Sequence, residues 1–437
     1  MKAGLRKIDV FSIVLGSIVG WGSFMLPGTK FLKESGIINT AIGLFLGAFC
    51  IIIIESSYRV MMENHKHEGG EFSFTYDNYG KNHGFIVGWS LLLAYLTMIP
   101  LNGTAFPLVI QKLFGDVLQF GYLYTVAGYP VYLGEVLTSS FIVVLFAIIN
   151  IKGLKGTSKV QNAIIFSLVT LIFSVFIAMY IKVDKSIILN NYIYNYEFKW
   201  NQVLRVLAIT PFAFVGFDSI PQIISEFNFS ARSASFIAVI SLLMASVMYN
   251  LLNIITGLAY SPSQASALDW SLVSGVLENL GRLGFVLLVI ALSAAVTSGI
   301  NGFMLCTSKL MGSIAGYKML PREYGVVNEN GVFQKTILFA MTISLIAPWF
   351  GREVILWIVD MASLGAAIAY MYVCLIAYKK TGVRFRKVLS ILGVIISITF
   401  IGLLLIPASP AALGKESLIA LMAWILLGGI FYKNLVD

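Results

Sequence analysis

Apolar residues in this chain run in long unbroken stretches, without the three-and-four rhythm of an amphipathic helix or the alternation of a half-buried strand. Ala163–Ile181 and Phe285–Ala295 are examples. A helix needs about 20 such residues to cross a hydrocarbon layer of roughly 30 Å. Dividing the stretches at charged or Pro/Gly-rich breaks predicts about twelve membrane helices. They fall near residues 8–34, 38–63, 84–113, 132–151, 157–182, 201–228, 232–260, 283–316, 335–350, 353–379, 386–406 and 416–433. The predicted connections are too short for a soluble domain. An even number of spans puts both termini on one side.

Composition agrees with the pattern. Of 437 residues, 58% are hydrophobic and only 12% charged, and the mean hydropathy is +0.87. Globular cores of this size cannot bury so much apolar surface, so a soluble protein is excluded. Membrane proteins use Lys and Arg to set topology. With the N-terminus inside, twenty of the thirty basic residues fall on the cytoplasmic side, most densely at Lys379–Lys387, so both termini are expected in the cytoplasm. Lys2, Arg6 and Lys7 precede a first span without a cleavage pattern, which is expected to be retained. No basic block interleaved with aromatics supports nucleic-acid binding. Cys50, Cys306 and Cys374 lie in apolar runs and read as small buried hydrophobes.

Two spans contain residues that a plain membrane helix avoids. The first holds Gly16, Gly20, Gly22, Pro27 and Gly28; the sixth holds Pro211, Gly216, Asp218 and Pro221. Glycine costs a helix about 1 kcal/mol and proline about 3, so both spans are expected to unwind near their middles. Unwound backbone at membrane depth needs a cavity, ion or ligand to satisfy it. Free amides at the start of a half-helix attract a carboxylate, and free carbonyls attract an ammonium group or cation. Such a pair of breaks suits an α-amino acid. Gly16 and Gly20 alone would also fit a small-residue packing face; the recurrence five spans later favours broken helices.

These residues resemble the amino acid–polyamine–organocation (APC) superfamily of permeases over about the first 380 residues. Gly20-Trp21-Gly22-Ser23-Phe24 resembles the family's Gly-x-Gly-Ile-Phe, with Trp21 where a small residue is usual. Glu55 with Glu68-Gly69-Gly70-Glu71-Phe72, Asn150-Ile151-Lys152-Gly153, Phe214-Val215-Gly216-Phe217-Asp218 and Lys318-Met319-Leu320-Pro321 match further family segments in order. The resemblance implies an all-α integral membrane fold of the leucine-transporter type, a five-plus-five inverted repeat with discontinuous helices one and six. Residues 1–182 and 201–380 would form the repeats, and 386–437 two accessory helices. It further implies a substrate carboxylate on the amides near Gly20, Gly22 and Ser23, with Trp21 beside that loop, where its bulk could shrink the pocket or stack on the substrate. The amine would lie on carbonyls near Ile18, Val19, Phe214 and Val215, with Phe212 as an aromatic gate.

Many permeases of this family without sodium coupling carry a lysine on helix five, and here Leu168 occupies that position. Ala294-Ala295-Val296-Thr297-Ser298 instead resembles the helix-eight stretch of sodium-coupled relatives. The implied sodium site comprises Gly16, Val19, Ala294, Thr297 and Ser298, all neutral oxygen donors. A proton would need an intramembrane acid, and Glu55, Asp218, Glu226 and Asp360 are the candidates. Asp218 could also bind substrate by attracting a cationic side chain, or simply cap the freed amides of its break. Glu55 and Glu226 read as gating residues paired with basic loop residues near the inner surface. His65, His67 and His83 lack metal-site spacing, and no motif supports an intramembrane enzyme. The expected function is secondary active transport of an α-amino acid or related amine across the cell membrane, with sodium as coupling ion and no other cofactor. A proton-coupled symporter or exchanger and a non-transporting nutrient sensor are the alternatives. Partners are the small-molecule substrate and the lipid bilayer, in a monomer or homodimer.

Overall fold

The computed structural model describes residues 4–65, 67, 69–126, 128–153, 157–194, 196–351 and 354–433, without the side chains of 157–160, 354–356 and 358. Lys2 and Glu68, used above, lie outside the described residues. The first span starts as α1 (Lys7–Ile18) and resumes as α2 (Trp21–Ser35), turned by 44°. Between them Val19 (φ −93°, ψ 86°) and Gly20 (φ −112°, ψ −162°) leave helical geometry. Pro27 cannot donate, and α2 widens over Pro27–Phe31 into a π turn around it.

α3 (Ile38–Asn64) and α4 (Gly70–Tyr79) follow, joined through left-handed Gly69 (φ 98°) and Gly70 (φ 46°). Next comes α5 (Lys81–Phe114), a span in two segments that meet at Thr104. Then the chain makes a small antiparallel hairpin, β1 (Tyr122–Val126) and β2 (Tyr129–Tyr132), absent from the sequence reading. α6 (Leu133–Ile151) and α7 (Thr157–Lys182) follow.

The segment expected as the sixth span is broken further. It consists of α8 (Trp200–Ala208), α9 (Thr210–Ala213), a turn over 214–218 and α10 (Ser219–Gln222). α11 (Ala231–Ala259), α12 (Pro262–Ala267) and α13 (Ser271–Gly316) follow, the last kinked at Gly281 (φ 68°). α14 (Gln334–Ser344) ends in a 3-10 turn containing Pro348. α15 (Val354–Lys380), α16 (Arg384–Leu405) and α17 (Lys415–Lys433) end the described chain.

Among the described residues, nine helices are long and apolar enough to cross a membrane, or ten with α1 and α2 as one span. Segments 201–228 and 335–350, expected as spans, are helical in pieces because prolines and Gly216 interrupt their hydrogen-bond ladders. This is an all-α membrane protein apart from the hairpin. α5 lies at its centre, 83% of its apolar window buried, whereas α17 lies outermost with 11%. α1, α2, α9 and α10 pack among α5, α11, α13 and α15, which places the breaks in the interior.

Candidate substrate and ion sites

The break in the first span exposes the start of α2, whose first amides have no carbonyl a turn behind them. Ser23 N–H donates to the Gly20 carbonyl at 3.1 Å, and the Ser23 hydroxyl donates to the same oxygen at 2.8 Å. Trp21 N–H donates to Oδ1 of Asn102, on α5, at 2.9 Å. Among the described residues the N–H groups of Gly20 and Gly22 have no acceptor. Ile18, Val19, Trp21 and Ser23 are all buried. The Trp21 ring turns from the break to meet Trp270 edge-on, centroids 5.1 Å apart.

The second break lies directly against the first. Gly216 adopts φ 123°, and a Cβ there would sit 2.8 Å from Ser17 Cβ and 2.9 Å from the Ile18 nitrogen. Only glycine permits both the conformation and the contact. Phe212, from α9, lies across Gly22, where a Cβ would be 2.9 Å from its Cζ. Phe214 and Val215 are buried in the turn. Asp218 Oδ1 accepts from Gly216 N–H at 2.8 Å, the capping role open to it from sequence. Its Oδ2 has no partner among the described residues.

Gly16 and Ser298 also meet, since a Cβ on Gly16 would fall 1.8 Å from the Ser298 hydroxyl. Ala294 and Thr297, half-buried, are one turn or less away on α13. Gln161 on α7 donates its side-chain N–H to Ser298 Oγ and reaches the Ser12 carbonyl at 3.5 Å. Leu168 is fully buried and apolar. Helix five thus brings an amide donor to this point, seven residues from the position examined in the sequence.

The remaining acids are scattered. Glu226 pairs with Lys309 Nζ at 2.6 Å, beside a backbone bond from Leu5 N–H to the Glu226 carbonyl. Among the described residues, the expected ion pair of Glu55 with a basic loop residue is not present. Glu55 is buried and accepts from the Ser235 hydroxyl of α11 at 2.8 Å, while Arg59 turns to Glu63. Asp360 lies 3.8 Å from Lys30 of α2 and accepts from Ser417 of α17. Glu71, noted in sequence only within a motif, is fully buried and accepts from Gln222 Nε2 at 2.7 Å. Asn102, Gln161 and Gln222 escaped the sequence reading. A lone amide in an apolar helix is a weak signal, and only the distant residue that each meets gives it meaning.

Two interrupted helices meeting inside a multi-span bundle are an arrangement that membrane transport proteins use. Sequence comparison agrees: the amino acid permease family matches residues 5–431. The chain belongs to that family, whose members are transporters rather than enzymes. It is similar to the branched-chain amino acid permease BcaP of Bacillus subtilis, 24% identical over 288 residues, covering 64% of this chain and 60% of that protein. The vacuolar cationic amino acid transporter 4 of Arabidopsis thaliana is 22% identical over 377 residues, 84% of this chain and 61% of that protein. The glutamate/serine transporter AimA of B. subtilis is 25% identical over 424 residues, 89% of this chain and 74% of that protein. The first two matches thus span about three fifths of those proteins' lengths.

Proposed function

We propose that the protein is a secondary active permease that carries a neutral α-amino acid across the cell membrane by alternating access, with both ends in the cytoplasm. One observation carries this reading: two helix breaks abut at Gly216 and Ile18, and the Gly20 and Gly22 amides beside them have no acceptor among the described residues. These amides would hold the substrate carboxylate. Carbonyls around Ile18, Val19, Phe214 and Val215 would hold the amine. Phe212, lying over Gly22, would close the site. Phe212, Phe214 and Tyr249 are apolar or aromatic neighbours of the break, which supports an uncharged, apolar substrate side chain. The two pieced segments count as membrane spans in this reading, giving twelve. Residues 1–182 and 201–380 are its two inverted repeats.

Sodium coupling through Gly16, Val19, Ala294, Thr297 and Ser298 is supported by the contact of Gly16 with the Ser298 hydroxyl. Proton coupling is favoured by a different observation. The Gln161 amide donates to Ser298 Oγ at the same place, and Asp218 and Glu71 each keep one buried carboxylate oxygen without a partner among the described residues. The test is uptake into proteoliposomes of labelled L-isoleucine, alongside a panel of labelled neutral, acidic and basic amino acids, under sodium and proton gradients imposed separately. Accumulation driven by sodium alone supports the helix-eight site, and accumulation driven by protons alone rejects it. Binding without uptake under either gradient would indicate a nutrient sensor.

A further inference from the structure

We infer that Asn102 is a positioning residue of the carboxylate site, a built-in acceptor that keeps the first-span break open in a form ready for substrate. The inference rests on the amino acid permease reading and adds a residue that reading does not contain. Asn102 is 1% exposed on the central helix α5. Its Oδ1 accepts from Trp21 N–H, the first amide of α2, at 2.9 Å, and its Nδ2 donates to the Met98 carbonyl at 2.8 Å. Two glycines make the slot. A Cβ on Gly20 would stand 2.8 Å from Asn102 Oδ1, and one on Gly299 would stand 2.9 Å from Nδ2. These glycines come from separate segments, the first-span break and α13, and any larger residue at either would expel the carboxamide.

The chemistry follows from the start of a half-helix. Trp21 N–H would otherwise be stranded in an apolar interior. A neutral carboxamide oxygen satisfies it without charge. The neighbouring Gly20 and Gly22 amides, and the positive end of α2, are then left for an anionic ligand. A carboxylate at position 102 would still accept from Trp21 N–H, but it would place a like charge beside the substrate's own carboxylate. Asn102 therefore favours binding of the acid group in two ways: it shapes the break and stays neutral.

The test compares wild type, Asn102→Ala and Asn102→Asp in proteoliposomes. It measures labelled L-isoleucine uptake and its inhibition by unlabelled L-isoleucine and by L-isoleucinamide, which lacks the carboxylate. Asn102→Ala should raise KM about tenfold with Vmax held within about twofold, the scale of one lost hydrogen-bonding group. Asn102→Asp should reduce the preference for acid over amide by about tenfold. Asn150→Ala, which removes a buried amide bonded to Asn301, should leave that preference unchanged. A merely structural Asn102 would alter both ligands equally, and that result, or an unchanged KM, overturns the inference. If Asn102→Ala does not yield monodisperse protein, the Asp variant decides alone. A wild type that takes up none of the labelled amino acids sinks the permease reading instead, so the two failures are distinguishable.

Discussion

At the residue scale, the site is made by side chains that are missing. Gly16, Gly20, Gly22 and Gly216 each face an atom that a Cβ would strike, respectively Ser298 Oγ, Asn102 Oδ1, Phe212 Cζ and Ser17 Cβ. Gly22→Val should therefore displace Phe212 and abolish L-isoleucine uptake; near-normal uptake by a stably folded variant would contradict the site. Gly216→Ala adds an unfavourable backbone conformation to a clash, a cost on the order of 1–3 kcal/mol from the backbone alone. It should lower the melting temperature in detergent as well as transport. Thr297→Ala and Ser298→Ala test the ion site. If sodium binds there, both should weaken sodium activation several-fold while selectivity among amino acids stays the same.

At the scale of elements, breaks in the sequence became breaks in the structure for the same physical reason. Glycine and proline withdraw hydrogen bonds from a helix, and the freed groups persist only where something nearby replaces them. Gly20 and Gly216 stand at such points. The sequence did not reveal the replacements. Asn102 caps the first break from α5, Asp218 caps the second from its own turn, and Gln222 reaches Glu71 on α4. Glu226 pairs with Lys309 of α13 rather than with a loop residue, and Glu55 accepts from Ser235 of α11. The hairpin β1–β2 was not expected either, although Gly121 before β1 and Gly128 in its turn adopt positive φ.

At the scale of the whole molecule, two ion pairs lie at opposite ends of the first span. Lys30 of α2 faces Asp360 of α15, and beyond the other end Glu226 binds both Lys309 and the backbone of Leu5. If alternating access operates with both termini in the cytoplasm, the Glu226 contact holds the inner side shut. Glu226 is half exposed, and such pairs contribute about 0.2–1 kcal/mol. Glu226→Gln should then raise the rate of substrate efflux from preloaded proteoliposomes, by up to about fivefold. An unchanged efflux rate would remove Glu226 from the gate.

The sequence alone determined that this chain lives in a membrane, roughly where its spans run, and which two of them cannot be continuous. Those properties depend on neighbours along the chain: twenty apolar residues in a row, or a glycine beside a proline, act locally wherever the helix ends up. Tertiary structure decided what the sequence could not, namely that the two breaks touch and that Asn102 enters one of them. It also set Gln161 at Ser298 and left Glu71 buried. Residues as far apart as Gly16 and Ser298 meet only when helices pack, and packing depends on shape across the whole bundle rather than on any local pattern.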